Sequence, residues 1–490
     1  MKNSVLCFFV IMLFGTLAMY AQNKSTSNQN KVFKAGASLS NITPPLGMKT
    51  VGLWGSPEAD YIHDQLHVRS LVLNDGEETL VFAIVDNVGV KREVFDAAKA
   101  IIQNKLKIPA SNVLMAATHT HSAVSAGKQG MKIGGWQYGE PLDDYQRFLV
   151  KRIADGVQTA LANLEPARIA WGSFDVPELV FNRRWIMKEP VWSPLGFKDK
   201  ARGNTGIGHP DAARNAGPVD PEVSFIAVES LEGKPIAVLG NYSLHYVADT
   251  PKGHISANYF AVFGDRIQEL LKADRQDPPF VGIMSNGTAG DVDYINLPGP
   301  SGERYPVYGK MRYLANELAG KVFDIYGGLK FQNWVPLGAA QSELTLEVRR
   351  ASPELLANME KVRKRPDTDA PLFHPLEKIY AERIRIHEKE WPDQIDIVLQ
   401  VFRIGDLGIT AVPFEVFAET GLEIKKKSPF QRTFNIELAN GCYGYLPTPE
   451  QHELGGYETW LTTSKVETNA TRKIVAELMA LFGQVDQKNK

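Results

Sequence analysis

Two histidines separated by one residue follow a short apolar segment of the chain. The segment 113–117 has the length and composition of a buried strand, and His119 and His121 come directly after it. Ligands gather at strand ends in α/β proteins, and side chains two residues apart in an extended backbone point to the same side. Both imidazoles can therefore enter one metal site, or one can bind metal while the other transfers a proton. A hydrogen-bonded structural pair is the alternative.

Other residues suited to metal or proton chemistry occupy similar positions further along the chain. His245 follows the apolar segment 236–244, and Glu415 follows the apolar segment 409–414 at a predicted strand-to-helix turn. Tyr445 lies in a glycine-rich segment, and Tyr457 follows two glycines, which let backbone approach a ligand closely. Each of these residues, taken alone, also fits an ordinary structural role.

Strand-like and helix-like segments alternate along the chain and must position these residues. The predicted strands cover residues 68–73, 80–85, 113–117, 169–171, 224–228, 236–244, 280–284, 344–348, 397–402 and 434–438. The predicted helices cover residues 92–106, 143–164, 257–271, 311–325, 353–363, 377–390, 416–427 and 466–482. Both element types recur throughout, so the fold class is α/β or mixed α+β, with central sheets flanked by helices.

Three stretches lack a clear periodicity and are predicted to be functional loops: 127–140, 185–221 and 285–305. Four tryptophans lie in or beside the loops that flank the motifs: Trp136, Trp185, Trp192 and Trp460. Exposed tryptophan beside polar groups commonly stacks on sugars or packs against acyl chains, whereas core packing is the alternative for each.

Composition excludes several classes of partner. The chain has 490 residues, of which 44% are hydrophobic and 22% charged, as in ordinary globular proteins. Its net charge is −2, and it has no basic block interleaved with aromatic residues. We therefore expect no nucleic-acid partner.

The N-terminus predicts export. Residues 1–21 combine Lys2, the apolar run 5–17 and a small residue at Ala21, as in a secretory signal peptide. Polar residues 22–33 predict a disordered tether, and residues 34–485 a single catalytic domain. The mature chain would contain Cys442 alone, so no internal disulfide is expected in the periplasm or outside the cell. An uncleaved signal acting as an anchor is the alternative, and no later segment predicts a stable membrane span.

Taken in order, several motifs resemble those of the neutral/alkaline ceramidases, zinc-dependent amidases that cleave the N-acyl bond of ceramide. The motifs span nearly all of the predicted mature chain and comprise residues 35–47, 62–69, 118–122, 182–183, 241–245, 285–292, 413–415 and 444–450. The resemblance implies a ceramidase-like catalytic domain. It also implies a hydrolase that uses one zinc ion.

Matched position by position, the resemblance implies that His119, His245, Glu415 and Tyr445 bind Zn²⁺. Imidazole nitrogens with carboxylate and phenolate oxygens form a chemically reasonable donor set for this ion. In the catalytic step, His121 would handle the proton, Arg183 would orient the substrate, and Tyr457 would lie near the reacting carbonyl.

Two features of the chain depart from the family pattern. Asp293 stands where the family has a serine after Ala-Gly-Asp-Val, and a carboxylate cannot replace an activated hydroxyl without changing the chemistry or the substrate pose. We therefore assign Asp293 to the catalytic site, where it would hydrogen-bond a substrate hydroxyl or ammonium group or orient the water. The family also carries a C-terminal immunoglobulin-like domain, whereas residues 466–482 predict a closing amphipathic helix, so no such domain is expected here.

The sequence leaves three functions open. The first is an exported zinc-dependent hydrolase that cleaves an amide (N-acyl) bond in a small-molecule, glycan or N-acylated substrate other than ceramide itself. The second is a carbohydrate-active esterase or glycan hydrolase on the same metal site, with Asp293 and Glu415 as acid and base. The third is an inactive relative that binds glycan or lipid. A second divalent ion is an additional option, with Asp64, His67, Asp291 and Asp293 as candidate ligands.

Overall fold

The computed structural model describes residues 31–52, 55–127, 135–136, 138–297 and 304–487. The predicted signal peptide and most of the predicted tether therefore lie outside the described residues. Among the described residues, no helix has both the length and the apolar character needed to cross a bilayer.

The larger sheet has eight strands. These are β1 (Lys34–Asn41), β2 (His67–Asn74), β3 (Thr79–Val85), β4 (Val113–Ala117), β5 (Glu165–Asp175), β9 (Glu222–Ser230), β10 (Pro235–Tyr242) and β11 (Val281–Asn286). Their spatial order is β11-β10-β9-β5-β1-β2-β3-β4. Neighbours pair antiparallel except at the two ends, where β10 runs parallel to β11 and β3 parallel to β4.

A second sheet has four strands in the order β12 (Leu337–Glu347), β13 (Gln394–Ile404), β14 (Leu407–Val412) and β15 (Arg432–Glu437). Strands β14 and β15 form its one parallel pair. The helices are α1 (Arg92–Leu106), α2 (Asp144–Ala162), α3 (Asn258–Leu270), α4 (Gly309–Tyr326), α5 (Pro353–Arg363), α6 (Glu377–Glu390), α7 (Ala418–Lys427), α8 (Pro449–Leu454) and α9 (Ala470–Gln487).

The core lies in layers because each sheet buries both faces. Leu71, Phe82 and Leu239 of the larger sheet pack against Phe402 and Phe434 of the smaller sheet. Helices α1 to α4 cover the outer face of the larger sheet, and α9 covers that of the smaller one. The strands therefore read as nearly continuous apolar runs rather than as alternating patterns.

The mixed α/β class predicted from the sequence is confirmed. Helices 92–106, 353–363 and 377–390 begin and end at the predicted residues, and the other long helices shift by a few residues at their ends. Helix α2 begins at Asp144 because the Asp143 side chain and Gln146 form a reciprocal capping box. Strands β1 and β14 were not included in the predicted strand set.

The prediction of an irregular loop over residues 185–221 is wrong. This stretch forms most of a three-stranded sheet in the order β7-β6-β8, from strands β6 (Arg184–Trp192), β7 (Lys198–Gly203) and β8 (Ala212–Asn215). These strands expose much of their surface and carry charged and glycine residues, so they lack the apolar signal of buried strands.

Candidate metal centre and active-site cavity

Three histidines meet beyond the ends of the strands. Nε2 of His119 lies 3.1 Å from Nε2 of His245 and 3.0 Å from Nε2 of His121. His119 and His121 follow β4, and His245 follows β10. The φ of His119 is 71°, a left-handed conformation that turns the chain sharply at the strand end. The ligand atoms of the three histidines all lie within 4.8 Å of one another.

The other ring nitrogen of each histidine faces a backbone carbonyl. The Nδ1 atoms lie 2.6 Å from Val88 O for His119, 2.8 Å from Gly52 O for His121 and 3.0 Å from Ala289 O for His245. A carbonyl can only accept, so each Nδ1 carries the hydrogen and each neutral ring turns its Nε2 lone pair toward the other two. Such a second hydrogen bond is what fixes the tautomer and orientation of metal-binding histidines.

The chemistry of this donor set fits a divalent cation. Burial lowers the pKa of all three imidazoles, so they are neutral near pH 7. Nε2 of His119 lies about 3 Å from each of the other two Nε2 atoms, and such lone pairs repel one another unless a cation lies between them. A tetrahedral ion with ligands at roughly 2.0–2.1 Å would separate its ligand atoms by about 3.3 Å, close to the spacing found here.

Glu415 and Tyr445 come together through a short parallel pairing of Glu415–Val416 with Tyr445–Leu446, in which they are register partners. Glu415 Oε2 lies 3.5 Å from His119 Nε2. The preceding Gly444 has a φ of 96°, and a Cβ at this position would lie 2.5 Å from Thr463 O, so glycine is required. Four predicted metal ligands and His121 thus come from four separate parts of the chain to one region.

Arg183 is buried beside Tyr445. Its Nη2 donates to Tyr445 Oη at 3.0 Å and to Gly290 O at 2.9 Å, and its Nε donates to Glu458 Oε1 at 3.0 Å. Burial alone would lower the pKa of Arg183, but Tyr445 and Glu458 raise it well above its ordinary value. The guanidinium therefore keeps its charge next to the phenol. Arg184 is also buried and donates to Glu458 Oε2 at 2.6 Å, so neither arginine is a surface residue.

A cavity of about 540 Å³ opens at this cluster. Its described lining comprises Gly52, His121, Arg183, Val191, Trp192, Asp199, Ala201, Arg202, Gly203, Asn204, His245, Tyr246, His374, Pro375, Leu376, Tyr445, Gly456, Tyr457 and Trp460. Tyr457 lies with its ring centroid 5.7 Å from that of Tyr445. The cavity has the size of a small-molecule site, and His121, Arg183 and Tyr457 all reach it.

The four tryptophans separate into two groups. Trp192 and Trp460 line the cavity, and Trp460 Nε1 donates to Asp199 Oδ2 at 2.7 Å. Trp185 is buried in a small apolar cluster, and Trp136 packs edge-on to Trp391 at 4.9 Å. Core packing is therefore the role the structure gives to Trp185, whereas Trp192 and Trp460 are placed to contact a ligand.

Asp293 lies in a two-residue strand, Val292–Asp293, that pairs with Phe181–Asn182 and so places it near Arg183. Burial raises the pKa of the Asp293 carboxyl to about 6, against the opposing charge of Arg183. Its Oδ1 accepts from its neighbour Tyr294 N at 2.6 Å. Asp293 is not among the described residues that line the cavity. Together with burial, however, its charge raises the pKa of the cavity residue Tyr246.

The candidate ligands for a second ion remain apart. Asp64 accepts hydrogen bonds from Ser256 and Ala257, and Asp291 accepts from Asn182 and Ala418. Within the described parts of the chain, the three histidines are the one group of histidine, cysteine and acidic residues close enough to hold an ion. These carboxylates instead fix backbone and side chains around the site.

Two residues that sequence reasoning missed are part of the site. Tyr246 stacks on His121, with ring centroids 3.6 Å apart and an interplanar angle of 9°, and it lines the cavity. Glu437, fully buried at the end of β15, accepts hydrogen bonds from the backbone on which His245 and Glu415 depend. The position of Tyr246 next to His245 was a usable signal, whereas nothing in the apolar strand β15 marks Glu437.

Residues 33–306 match the sequence profile of the neutral/alkaline non-lysosomal ceramidases, N-terminal, which is more than half of the chain. The chain belongs to this ceramidase family. Family membership confirms the resemblance found in the sequence and identifies the chain as one with a hydrolase fold and a histidine cluster able to hold a metal. No curated protein matches the chain significantly.

Solved ceramidase structures share the fold. The neutral ceramidase from Pseudomonas aeruginosa superposes with a TM-score of 0.68 at 16% identity, over 93% of this chain and 75% of the other. A structure described as ceramidase complexed with C2 gives a TM-score of 0.69 at 17% identity, over 94% and 76%. At such identities the likeness establishes the ceramidase fold and no more.

Proposed function

We propose that this chain is an exported, zinc-dependent hydrolase that cleaves an N-acyl amide bond in a substrate other than ceramide. The observation that carries the proposal is the convergence of three neutral imidazoles, each with its Nδ1 hydrogen-bonded to a backbone carbonyl, beside a cavity that two of them line. Family membership supplies the reaction class. Export rests on the signal-like residues 1–21 of the sequence.

We assign the ion to His119, His245, Glu415 and Tyr445, as the resemblance implies. These residues would hold Zn²⁺, which would supply Lewis-acid activation of an acyl carbonyl and of water near neutral pH. His121 lines the cavity beside the assigned ligands His245 and Tyr445, within reach of a bound substrate. We assign it the proton transfer that the resemblance implies, with its Nε2 as the proton acceptor and donor at the reacting atoms.

Arg183 and Tyr457 are assigned to the developing negative charge. Arg183 keeps its cation in a buried position, so its electrostatic effect is stronger than it would be in water. Burial and the charge of Glu415 raise the pKa of Tyr445 well above its ordinary value, and the charge of Arg183 opposes this rise. Tyr457 reaches the same cavity and can donate a hydrogen bond to an oxyanion.

The cavity wall supports a polar substrate. Aromatic, imidazole and charged side chains make up most of its described lining, and the larger aliphatic groups in it are Val191 and Leu376. Two long acyl chains gain their binding energy from extended apolar surface, whereas the apolar surface of this wall comes mainly from aromatic rings interspersed with polar groups. We therefore expect the substrate to be an N-acylated compound smaller than ceramide.

A carbohydrate-active esterase or glycan hydrolase is the second candidate. Trp192 is 48% exposed at the cavity, and Asp199, Arg202 and Asn204 line the same region. An exposed indole beside hydrogen-bonding groups suits a hydroxylated ring. An N-acylated amino sugar would satisfy both candidates.

The test measures metal content and then activity. Purified mature protein is analysed by atomic spectrometry and assayed on N-acyl amino sugars, N-acyl amino acids, N-acyl sphingoid bases, acetylated sugars and aryl glycosides. The proposal predicts about one zinc per chain and release of an amine from an N-acyl compound other than ceramide. Hydrolysis confined to esters or glycosides would favour the second candidate. Protein that holds no ion and binds glycan or lipid without turnover would be an inactive relative, and the proposal would be wrong.

A further inference from the structure

Glu437 is a fully buried carboxylate that no motif marks. It is the last residue of β15, and its side chain is 0% exposed. Its Oε2 accepts from Val416 N at 2.7 Å and from Ala289 N at 3.2 Å, and its Oε1 accepts from Asn286 Nδ2 at 3.1 Å. The two backbone amides can only donate to this carboxyl group, and burial raises the pKa of Glu437 well above its ordinary value, so a nearby cation is needed to keep it ionised.

These hydrogen bonds connect Glu437 to two predicted metal ligands. The carbonyl of Ala289 accepts from His245 Nδ1 at 3.0 Å, so Glu437 holds the residue that fixes the orientation of this imidazole. Val416 directly follows Glu415, so the same carboxylate oxygen also holds the strand that carries Glu415. One oxygen atom thus sets the backbone positions beneath two ligands from separate parts of the chain.

The surroundings of Glu437 lack a balancing cation. The charged groups that act on it most strongly are the carboxylates Glu415 and Asp291. Among the described residues, no lysine, arginine or histidine forms an ion pair with it, and nearby Arg183 and Arg184 share Glu458. A buried charge without compensation is expensive, and a divalent ion at the histidine cluster would offset it.

From these contacts we propose that Glu437 is a positioning residue of the metal centre, which aligns His245 and Glu415 and supplies negative charge behind the ion. The inference rests on the proposed metal-dependent function. It goes beyond that function because Glu437 touches neither the ion nor the substrate. Outer groups of this kind change metal affinity by about 10-fold to 100-fold.

Glu437→Gln separates charge from shape. The Oδ1 atom of Asn286 is buried without a hydrogen-bond partner. A glutamine amide can turn its oxygen toward Val416 N and Ala289 N, and a flip of the Asn286 amide then offers that Oδ1 to the new NH₂ group. The variant therefore keeps its hydrogen bonds and loses one negative charge. Glu437→Ala would instead leave backbone donors unpaired.

Asp75 provides a matched control. It is also buried and accepts from three backbone amides, those of Glu77, Glu78 and Leu337. Asp75 directly follows the C-terminal end of β2, whereas the motif residues 62–69 lie at the N-terminal end of that strand. It contacts none of the three histidines. Asp75→Asn also removes a buried carboxylate and leaves the backbone of His245 and Glu415 untouched, but its new NH₂ group must face one of these backbone amides, so it is the more demanding change for folding.

The experiment titrates zinc against a chelator of known affinity for the wild type, Glu437→Gln and Asp75→Asn, with circular dichroism as the check on folding. We expect the apparent zinc Kd of Glu437→Gln to rise by about 10-fold to 100-fold, with the Asp75→Asn value unchanged. A folded Glu437→Gln variant with wild-type affinity would overturn this inference but leave the proposed function intact. A wild type that binds no zinc would overturn the proposed function itself. If Glu437→Gln does not fold while Asp75→Asn does, Glu437 is a fold determinant and the charge-supplying role is rejected.

Discussion

Nε2 of His119 lies 3.1 Å from Nε2 of His245, although β4 and β10 are separated by five strands in the order of the larger sheet. The segment at the end of β15 explains this meeting. Leu438 O accepts from Ala117 N at the end of β4, and Asn435 O accepts from Asn241 Nδ2 near the end of β10. The smaller sheet therefore joins two distant strand ends of the larger one.

His119→Ala should abolish stable metal binding. It removes the nitrogen closest to both other imidazoles and to Glu415, so the loss should exceed the roughly 100-fold change typical of an outer group. Metal content after dialysis against chelator is the measurement. The control is His387→Gln. His387 is also buried, but its Nε2 faces Arg349 O and not the histidine cluster, so its loss should not change metal content. Retention of stoichiometric zinc by His119→Ala would contradict the assignment.

His121→Gln should leave the ion in place and reduce turnover. If His121 transfers the proton, its loss should lower kcat by about 10²-fold to 10⁴-fold. The measurement is kcat on the substrate found in the panel, together with zinc content of the same preparation. Loss of zinc from this variant would show instead that His121 is a ligand, as its 3.0 Å distance from His119 also allows.

Tyr246→Leu should disturb His121 without removing the metal. The ring of Tyr246 covers one face of the imidazole, and an aromatic pair of this kind contributes about 0.5–1.5 kcal/mol beyond its buried area. We expect lower kcat with unchanged zinc content. Tyr246→Phe keeps the stack, so it is the control, and any loss it shows would report on the hydroxyl. Equal loss of kcat in both variants would contradict a role for the stack.

Glu458→Gln should destabilise the protein. Its carboxylate neutralises two buried arginines, and disruption of a buried pair typically costs about 3–5 kcal/mol. Urea unfolding gives the change in the free energy of unfolding. Glu178→Gln, which weakens an exposed pair with Lys321, should change it by less than about 1 kcal/mol. Similar values for the two variants would show that the buried pair contributes no more than a surface one.

The lowered pKa of Glu458 predicts how the free energy of unfolding changes with pH. Burial alone would raise the pKa of Glu458, but Arg184 and Arg183 together hold it below its ordinary value. A lowered folded-state pKa stabilises the fold above the unfolded value of about 4.3, and this contribution is lost as the pH falls through the folded pKa. Unfolding free energy measured from pH 6 to pH 3 should therefore fall less steeply in Glu458→Gln than in the wild type. An equal slope would contradict the prediction.

The sequence predicted much of the fold from local patterns. Helix α1 begins at Arg92 and ends at Leu106 as predicted, because its apolar spacing is unambiguous. Strands β6 to β8 were missed because their side chains are partly exposed and charged, which leaves no alternating or apolar signal. The predicted site residues His119, His245, Glu415 and Tyr445 were named from ordered motifs. Their assigned roles stay predictions that the variants above test.

The sequence by itself determined the family, the mixed α/β class and the identity of the strand-end histidines, because these depend on local periodicity and on motif order. Tertiary structure alone decided which groups meet. It brought Nε2 of His119 to about 3 Å from the Nε2 atoms of His121 and His245, and it buried Glu458 between two arginines. It also placed Glu437 where it accepts hydrogen bonds from the backbone that supports His245 and Glu415. Most of these contacts join residues more than a hundred positions apart in sequence, so they depend on how the two sheets pack, which no local pattern records.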